Sequence, residues 1–197
     1  MGKIVLLMGK STTGKDTVYK NLLERNTCNL KKVVLYTTRP MRDKEENGVQ
    51  YFFCDEEGYQ KFLNDRKIIE GRTYDTCYGP WRYFTVDDGQ IDLESGSSLM
   101  IGTIEAYESM VRYFGKDKVV PVYIEISDRI RLERAMHREN KQEHPKYDEM
   151  CRRYLADEED FSEEKIKAAG ITRRFNNEGT IDHILDEITE YLKEMDV

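Results

Sequence analysis

Near the start of this chain an apolar run leads directly into a glycine-rich loop and then a helical pattern. The run is Ile4–Met8, the loop spans residues 9–15, and Asp16 to Arg25 has Val18 and Leu22 on one side of a helix. Further apolar runs and helical patterns alternate along the sequence, as is typical of βαβ units. We therefore predict an α/β fold whose mainly parallel sheet is flanked by helices.

The sequence of the loop is Gly9-Lys10-Ser11-Thr12-Thr13-Gly14-Lys15, a GxxxxGK match. Between a strand and a helix, its backbone N–H groups can wrap phosphates while Lys15 reaches the outer ones. An ordinary glycine-rich turn is the alternative, but the position after an apolar strand favours a nucleotide-binding P-loop. We predict that this loop, together with Asp16 and Thr17, binds ATP.

Asp16 stands where the P-loop motif usually has Ser or Thr, whose hydroxyl binds Mg²⁺. A carboxylate is also a hard oxygen ligand, so we predict that Asp16 binds the metal and that Mg²⁺ accompanies ATP as the cofactor. Thr17 can supply a hydroxyl only after some shift. The stretch Leu99–Gly102 has no strand-end Asp of the kind that usually helps to place the metal.

A second polar pattern, YTTRPMRDKEENGVQYFF, covers residues 36–53. Arg39 and Arg42 lie three residues apart, and two such guanidiniums suit the phosphate of a small nucleotide. Glu45 can orient them, and the Asn-Gly pair that follows predicts a turn folding Tyr51 back towards them. An isolated Arg pair is usually a solvated surface, but the length of this pattern makes chance a poor explanation.

The second pattern closely resembles the monophosphate-binding signature of guanylate kinases, and the resemblance extends over roughly Lys3 to Leu192. It implies that GMP is bound by Arg39, Arg42, Glu45, Tyr51, Glu70 and Tyr78. In this set Glu70 would accept hydrogen bonds from guanine N1–H and the exocyclic amine.

Several base contacts of the family are not matched in this chain. Leu35 or Tyr36 stands where the family has Ser or Thr, and Pro80 replaces a hydroxyl residue. The expected acidic residue after the Leu99–Ile101 strand falls on Ile104, unless a one-residue slip brings in Glu105. We expect GMP to remain an acceptor while discrimination against other bases is looser.

Arginines flank a polar segment, Asn140–Lys146, that is predicted to interrupt a helix. Arg134 and Arg138 precede it and Arg153 follows it. The resemblance implies that they close as a lid over the transferring phosphoryl group and, with the P-loop lysine, are catalytic. Each could equally serve a local ion pair. The acidic run Asp157–Asp160 is predicted to be a solvated helix face.

Between about Thr37 and Ser95 the sequence pattern changes to short aromatic-rich runs. We interpret these runs as strands and predict an antiparallel insertion. Val33–Tyr36 is predicted to be the second core strand, and Tyr147–Ala169 is predicted to be helical and strongly charged. The chain then divides into a core (1–36 and 96–197), a monophosphate-binding insertion (about 37–95) and a helical lid (about 137–153).

Composition limits the class of protein. A chain of 197 residues with 39% hydrophobic and 35% charged residues fits one globular domain. Its net charge of −7 argues against nucleic-acid binding, and no apolar run approaches the roughly 20 residues of a membrane span. Four cysteines without CxxC spacing predict reduced thiols in a cytoplasmic protein.

Together these features predict a guanylate kinase-like enzyme that moves the γ-phosphoryl group of ATP to GMP, giving GDP and ADP. We expect a monomer or homodimer without nucleic-acid or membrane partners. The alternatives are a nucleoside monophosphate kinase with altered base specificity and a non-catalytic guanylate-kinase-like binding module. Such modules tend to lose the P-loop, so Lys15 and both loop glycines favour the enzyme.

Overall fold

A computed structural model describes residues 1–43, 45–76 and 79–197 of the chain. The strands are β1 (Ile4–Met8), β2 (Lys31–Lys32), β3 (Tyr36–Thr37), β4 (Phe52–Phe53), β5 (Ile68–Thr76), β6 (Gly79–Val86), β7 (Ser98–Ile101), β8 (Val119–Glu125) and β9 (Arg174–Asn176). The helices are α1 (Lys15–Arg25), α2 (Glu56–Asn64), α3 (Ile104–Phe114), α4 (Asp128–Glu139), α5 (Tyr147–Asp160), α6 (Glu163–Ala168) and α7 (Ile181–Glu194), with a 3₁₀ turn at Lys116–Lys118.

The main sheet has five strands in the order β2-β7-β1-β8-β9, and every neighbouring pair is parallel. Its central strand β1 is completely buried, which explains the uninterrupted apolar run. Val5 and Leu7 pack towards the side of α1 and α7, while Leu6 and Met8 pack towards α3 and α6. The predicted fold class, a parallel sheet flanked by helices, is confirmed.

A second sheet, in the order β4-β3-β6-β5, is formed by the aromatic-rich part of the sequence. The β5–β6 and β3–β6 pairs are antiparallel, as predicted, but β3 and β4 are parallel. The prediction of a wholly antiparallel insertion is therefore wrong at one edge.

The predicted core strand Val33–Tyr36 is divided between the two sheets. The Val33 N–H donates to the Leu99 carbonyl of β7 at 3.1 Å, so this residue still belongs to the edge of the main sheet. Tyr36 instead pairs with Phe84 in the second sheet. One apolar run thus links the sheets, and its periodicity alone does not show where the chain crosses.

The two faces of the second sheet differ in chemistry. One face carries an aromatic cluster in which the rings of Tyr36 and Phe62 lie 5.1 Å apart and those of Tyr36 and Phe84 5.5 Å apart. Phe62 belongs to α2, so the helix covers this face. The opposite face carries the paired residues Glu70 and Thr85, and it is the face that concerns the site.

The stretch Tyr147–Ala169 is helical, as predicted, but it is divided into two helices, α5 and α6. Phe161 turns into the core with 5% of its surface exposed, which interrupts the charged helix. The Ser162 hydroxyl then accepts a hydrogen bond from the Lys165 N–H and begins α6 as its N-cap. Within the described residues, no helix combines the length and apolar character needed to cross a membrane.

Candidate active site

The glycines of the loop after β1 meet two steric demands. Gly9 has φ +153°, and a Cβ at this position would lie 2.4 Å from the Ile124 carbonyl oxygen. Gly14 has φ +88°, and its Cβ would lie 2.4 Å from the Asn177 amide nitrogen. Since α1 begins at Lys15, the loop leads straight into a helix N-terminus. This is the strand–loop–helix context that a P-loop requires.

Asn177 supports the loop from the end of β9 and was missed in the sequence. It is 8% exposed, and its side-chain amide donates to the Thr13 carbonyl at 2.7 Å. The Arg134 guanidinium donates to the Asn177 carbonyl at 3.2 Å and contacts the Thr13 carbonyl at 3.5 Å. Arg134 therefore lies beside the loop, as a catalytic role requires. A three-residue strand with two polar residues gave no pattern that could have revealed Asn177.

Carboxylates of α5 contact the anion-binding part of the loop. The Ser11 N–H donates to Asp157 Oδ2 at 2.7 Å, and Lys10 Nζ lies 2.5 Å from Glu158 Oε2. The prediction that the run Asp157–Asp160 is wholly solvated is therefore wrong for these two residues. This carboxylate occupies a backbone donor of the kind that a P-loop offers to phosphate, so a phosphate bound at the Ser11 N–H would have to displace Asp157.

Arg131 holds α5 against α4 and was not recognised as important in the sequence. Its side chain is only 1% exposed, 2.9 Å from Asp128 and 2.5 Å from Glu158. The ring of Tyr154 lies 4.2 Å from its guanidinium carbon. Burial alone would raise the pKa of Glu158, but hydrogen bonds from Lys10 and Arg131 lower it overall. The ionised carboxylate is therefore the stable form between two cations.

The two remaining lid arginines meet the P-loop across a small cavity. Arg138 of α4 and Arg153 of α5 line this cavity together with Ser11 and Asp157. Both arginines are exposed, and Arg153 Nε makes a long contact of 3.9 Å with Glu149 Oε1. The structure thus brings the predicted lid cations to the phosphate side of the loop.

The second polar pattern, residues 36–53, holds two arginines in fixed positions. Arg39 is 4% exposed and donates to Glu45 Oε1 at 2.8 Å, while the backbone N–H of Arg42 donates to Glu45 Oε2 at 2.9 Å. The hydrogen bond from Arg39 lowers the pKa of Glu45. Gly48 donates to the Tyr51 carbonyl at 2.8 Å, closing the predicted turn, and the Tyr51 ring lies 5.6 Å from the Arg39 guanidinium. Glu45 thus fixes one arginine by its side chain and the other by its backbone.

Glu70 lies at the far end of the same sheet face. Its side chain is 2% exposed, and Oε1 accepts a hydrogen bond from the Thr85 hydroxyl at 2.7 Å. Burial raises the pKa of Glu70, while Arg72 and Thr85 act in the opposite direction. Thr85 was missed in the sequence because a threonine in a strand is ordinary. The predicted base-binding carboxylate is therefore buried and oriented.

The two candidate residues after β7, Ile104 and Glu105, differ in burial. Ile104 is 3% exposed and packs in the core. Glu105 is exposed, and its charge contributes to the raised pKa of Glu70. Glu105 is thus the acidic side chain nearer the base end of the site. Tyr78 falls outside the described residues.

Comparisons with known proteins agree with this geometry. The guanylate kinase family model matches residues 1–88. A guanylate kinase of Wolbachia sp. subsp. Brugia malayi (strain TRS) is 31% identical over 129 residues, covering 62% of this chain and 61% of that protein. A crystal structure of guanylate kinase from Anaplasma phagocytophilum superposes with a TM-score of 0.64 at 21% identity, covering 98% of this chain and 85% of that one. The resemblance to guanylate kinases is confirmed.

The sequence match and the structural match support different conclusions. The sequence match spans about three-fifths of the curated relative's length. The structural match covers nearly the whole chain, and at its low identity it establishes the guanylate kinase fold. The roles of individual residues stay predictions that rest on the geometry described above.

The P-loop offers one candidate metal ligand. Asp16 lies exposed in the first turn of α1, directly after Lys15, and Thr17 is also exposed. No group of three His, Cys, Asp or Glu side chains suited to a metal occurs in the described part of the chain. Mg²⁺ commonly needs only one or two carboxylates when phosphates and water supply the other ligands. Asp16 fits a metal that arrives with a nucleotide.

Two further positions differ from the polar residues expected at the base. Leu35 packs against the apolar cluster of the main sheet, and Tyr36 belongs to the aromatic cluster under α2, where its hydroxyl donates to Asp88 at 2.8 Å. Pro80 is exposed and carries no donor. In the part of the chain that the structure describes, the polar groups at this end of the face are therefore Glu70 and its immediate neighbours.

Proposed function

We propose that the chain is an ATP-dependent nucleoside monophosphate kinase that transfers the γ-phosphoryl group of ATP to GMP, giving ADP and GDP. The observation that supports this most is that one fold contains two candidate phosphate sites. The P-loop lies directly before α1, and the Arg39–Glu45 ion pair lies in the connection between β3 and β4 of the second sheet. A binding module would need only the second of these sites.

In the proposed reaction an oxygen of the GMP phosphate attacks the γ-phosphorus of ATP, and the bond to the β-phosphate bridging oxygen breaks. Arg39 and Arg42 hold the attacking phosphate, while Lys15 binds the outer phosphates of ATP. Transfer of this kind depends on positioning and electrostatic stabilisation, because the transition state carries its charge on the transferred group's oxygens.

The lid supplies the remaining positive charge. Arg138 and Arg153 line the cavity beside Ser11, and Arg134 contacts the Thr13 carbonyl. We propose that these arginines neutralise charge as the phosphoryl group moves. Mg²⁺, when bound with ATP, would be held by Asp16 and would neutralise phosphate charge.

The division of labour follows the sequence-based boundaries. We propose a core (residues 1–36 and 96–197) that binds ATP, an insertion (about 37–95) that binds the monophosphate, and a lid (about 137–153). The free thiols of Cys28, Cys54 and Cys151 support a reducing, cytoplasmic location. We expect a monomer or homodimer that acts on nucleotides without nucleic-acid or membrane partners.

The test is ADP release from ATP and Mg²⁺ with each common ribo- and deoxyribonucleoside monophosphate in turn. The matched control is Lys15→Met purified in the same way, which reports contaminating kinases. Rapid turnover with GMP, absent in the control, supports the proposal. Turnover only with another monophosphate would assign a different base specificity. Absence of transfer to every acceptor would overturn the proposal in favour of a binding module.

A further inference from the structure

Arg72 lies beside Glu70 on the acceptor face of the second sheet. The two residues are two positions apart on β5, so their side chains project from the same side. Across the hairpin, Arg72 pairs with Tyr83 and Glu70 pairs with Thr85. The Arg72 side chain is 16% exposed and the Glu70 side chain 2%. A half-buried cation thus lies next to a buried anion at the end of the face that carries Glu70.

Neither group is satisfied by its neighbour. Arg72 Nε and Glu70 Oε2 are 3.6 Å apart, which is too long for a hydrogen bond. Both atoms are buried without a hydrogen-bond partner among the described residues. Buried polar atoms in native proteins are normally paired, and each exception calls for an explanation. A ligand that offers an acceptor and a donor on adjacent atoms would satisfy both.

The position of Arg72 along the face separates it from the phosphate arginines. Tyr83, which pairs with Arg72, has its ring 5.6 Å from that of Tyr51, and the Tyr51 ring lies 5.6 Å from Arg39. The face therefore runs from Glu70 and Arg72 through two tyrosines to Arg39. Arg72 belongs to the end that faces the base of a bound monophosphate.

We propose that Arg72 reads the acceptor base by donating a hydrogen bond to the 6-oxo group of guanine, while Glu70 accepts from N1–H and the 2-amino group. This inference rests on the proposed function. Guanine presents an acceptor followed by two donors on this edge, which matches an arginine beside a carboxylate. Adenine would direct its 6-amino donor at the Arg72 donor. The pair thus selects 6-oxopurine monophosphates.

A purely indirect role for Arg72 makes a different prediction. Arg72 favours the ionised form of Glu70, so its loss could weaken guanine binding through that carboxylate alone. In that case Arg72→Lys would restore selectivity, because the charge remains. A direct contact from the planar guanidinium is only partly replaced by lysine, since the two side chains present their donors differently.

The experiment compares kcat/KM for GMP, 6-thio-GMP and IMP in the wild type, Arg72→Met and Arg72→Lys. Replacing oxygen by sulfur at position 6 weakens the acceptor and keeps both donors, whereas IMP lacks only the 2-amino group. We expect the wild type to prefer GMP to 6-thio-GMP by about tenfold. In Arg72→Met this preference should fall to within about twofold, while the ratio of GMP to IMP stays unchanged.

The matched control is Arg82→Met on the neighbouring strand. Arg82 faces the opposite side of the sheet, where it pairs with Glu56 at 2.9 Å and lies over the Tyr59 ring. This variant loses the same side chain from the same hairpin, so it should keep all three substrate ratios. A loss of the 6-oxo preference in Arg82→Met as well would overturn a specific role for Arg72.

Two other outcomes overturn the inference without touching the proposed function. One is an unchanged preference for GMP over 6-thio-GMP in Arg72→Met. The other is a changed GMP-to-IMP ratio that raising the pH restores, since this would show that Arg72 acts only through the ionisation of Glu70. If the wild type transfers phosphate to no acceptor, the proposed function fails. In that case the Arg72 contact is tested by calorimetric titration, which compares the Kd for GMP with the Kd for 6-thio-GMP in the wild type and in Arg72→Met.

Discussion

Replacing Asp157 by asparagine is expected to tighten ATP binding. In the structure the Asp157 carboxylate accepts the Ser11 N–H at 2.7 Å, at the place where a P-loop binds phosphate. ATP must therefore displace this carboxylate, and the closed contact lowers the fraction of molecules ready to bind. An amide keeps the shape and one acceptor oxygen but removes the negative charge, so it competes less well.

The size of the effect follows from the hydrogen bond. A bond to a charged group contributes about 1.5–3 kcal/mol, and a neutral one about 0.5–1.5 kcal/mol. The difference, about 1–1.5 kcal/mol, corresponds to a decrease in the Kd for ATP of about fivefold to tenfold. Asp157 is only 15% exposed on its side chain, so water screens this bond weakly. Its contact with Arg131 is longer, at 3.8 Å, and contributes less.

The measurement is equilibrium titration with a fluorescent ATP analogue, together with the KM for ATP at saturating GMP. Glu159→Gln is the matched control, because Glu159 is exposed on the same helix and its loss changes the net charge equally. The Kd for GMP should be unchanged in both variants. An equal gain in Glu159→Gln would show a general charge effect. Unchanged or weaker ATP binding in Asp157→Asn would refute competition at the Ser11 amide.

Three further perturbations probe the other parts of the site. Lys15→Met should lower kcat by orders of magnitude and leave GMP binding nearly unchanged by calorimetry; normal turnover would rule out the P-loop mechanism. Arg39→Ala and Arg42→Ala should each raise the KM for GMP through bonds worth about 1.5–3 kcal/mol, but only the buried Arg39 should also lower the melting temperature. Glu70 is an acceptor at both oxygens only when it is ionised, and its pKa is raised, so kcat/KM for GMP should fall as the pH drops through that pKa. Thr85→Val removes a hydrogen bond that lowers this pKa, so a pH–rate profile should show the acid limb at higher pH, and an unshifted limb would contradict the reasoning.

The parts of the fold that depend on local pattern were predictable from the sequence. The buried strand β1 and the start of α1 were found because a central parallel strand must be apolar on both faces and the loop glycines are required by close backbone approach. The Arg39–Glu45 pair and the turn before Tyr51 were found because their partners lie within a few residues. The predicted phosphate-binding part of the acceptor site could therefore be recognised from spacing over a few residues.

Features that depend on contacts distant in sequence were not predictable in the same way. Asp157 lies 146 residues from the Ser11 amide that it contacts, and an acidic run on a helix looks solvated until the helix is placed. Asn177 supports Thr13 from 164 residues away, at the end of a strand too short to recognise. The split of Val33–Tyr36 between two sheets also depends on partners that periodicity does not identify.

The base end of the site lies between these two cases. Glu70 was identified by resemblance, but Arg72, two residues later, looked like one more polar position in a strand. The pairing of β5 with β6 is needed to place Glu70 and Arg72 on the face that leads to Arg39. The burial of Arg72 Nε and Glu70 Oε2, which have no hydrogen-bond partner among the described residues, can be seen only in the structure. The sequence alone therefore suggested a loss of polar base contacts at Leu35 and Pro80. Once the strands are paired, a cation beside the carboxylate provides a different donor, so loose selectivity no longer follows from those two substitutions.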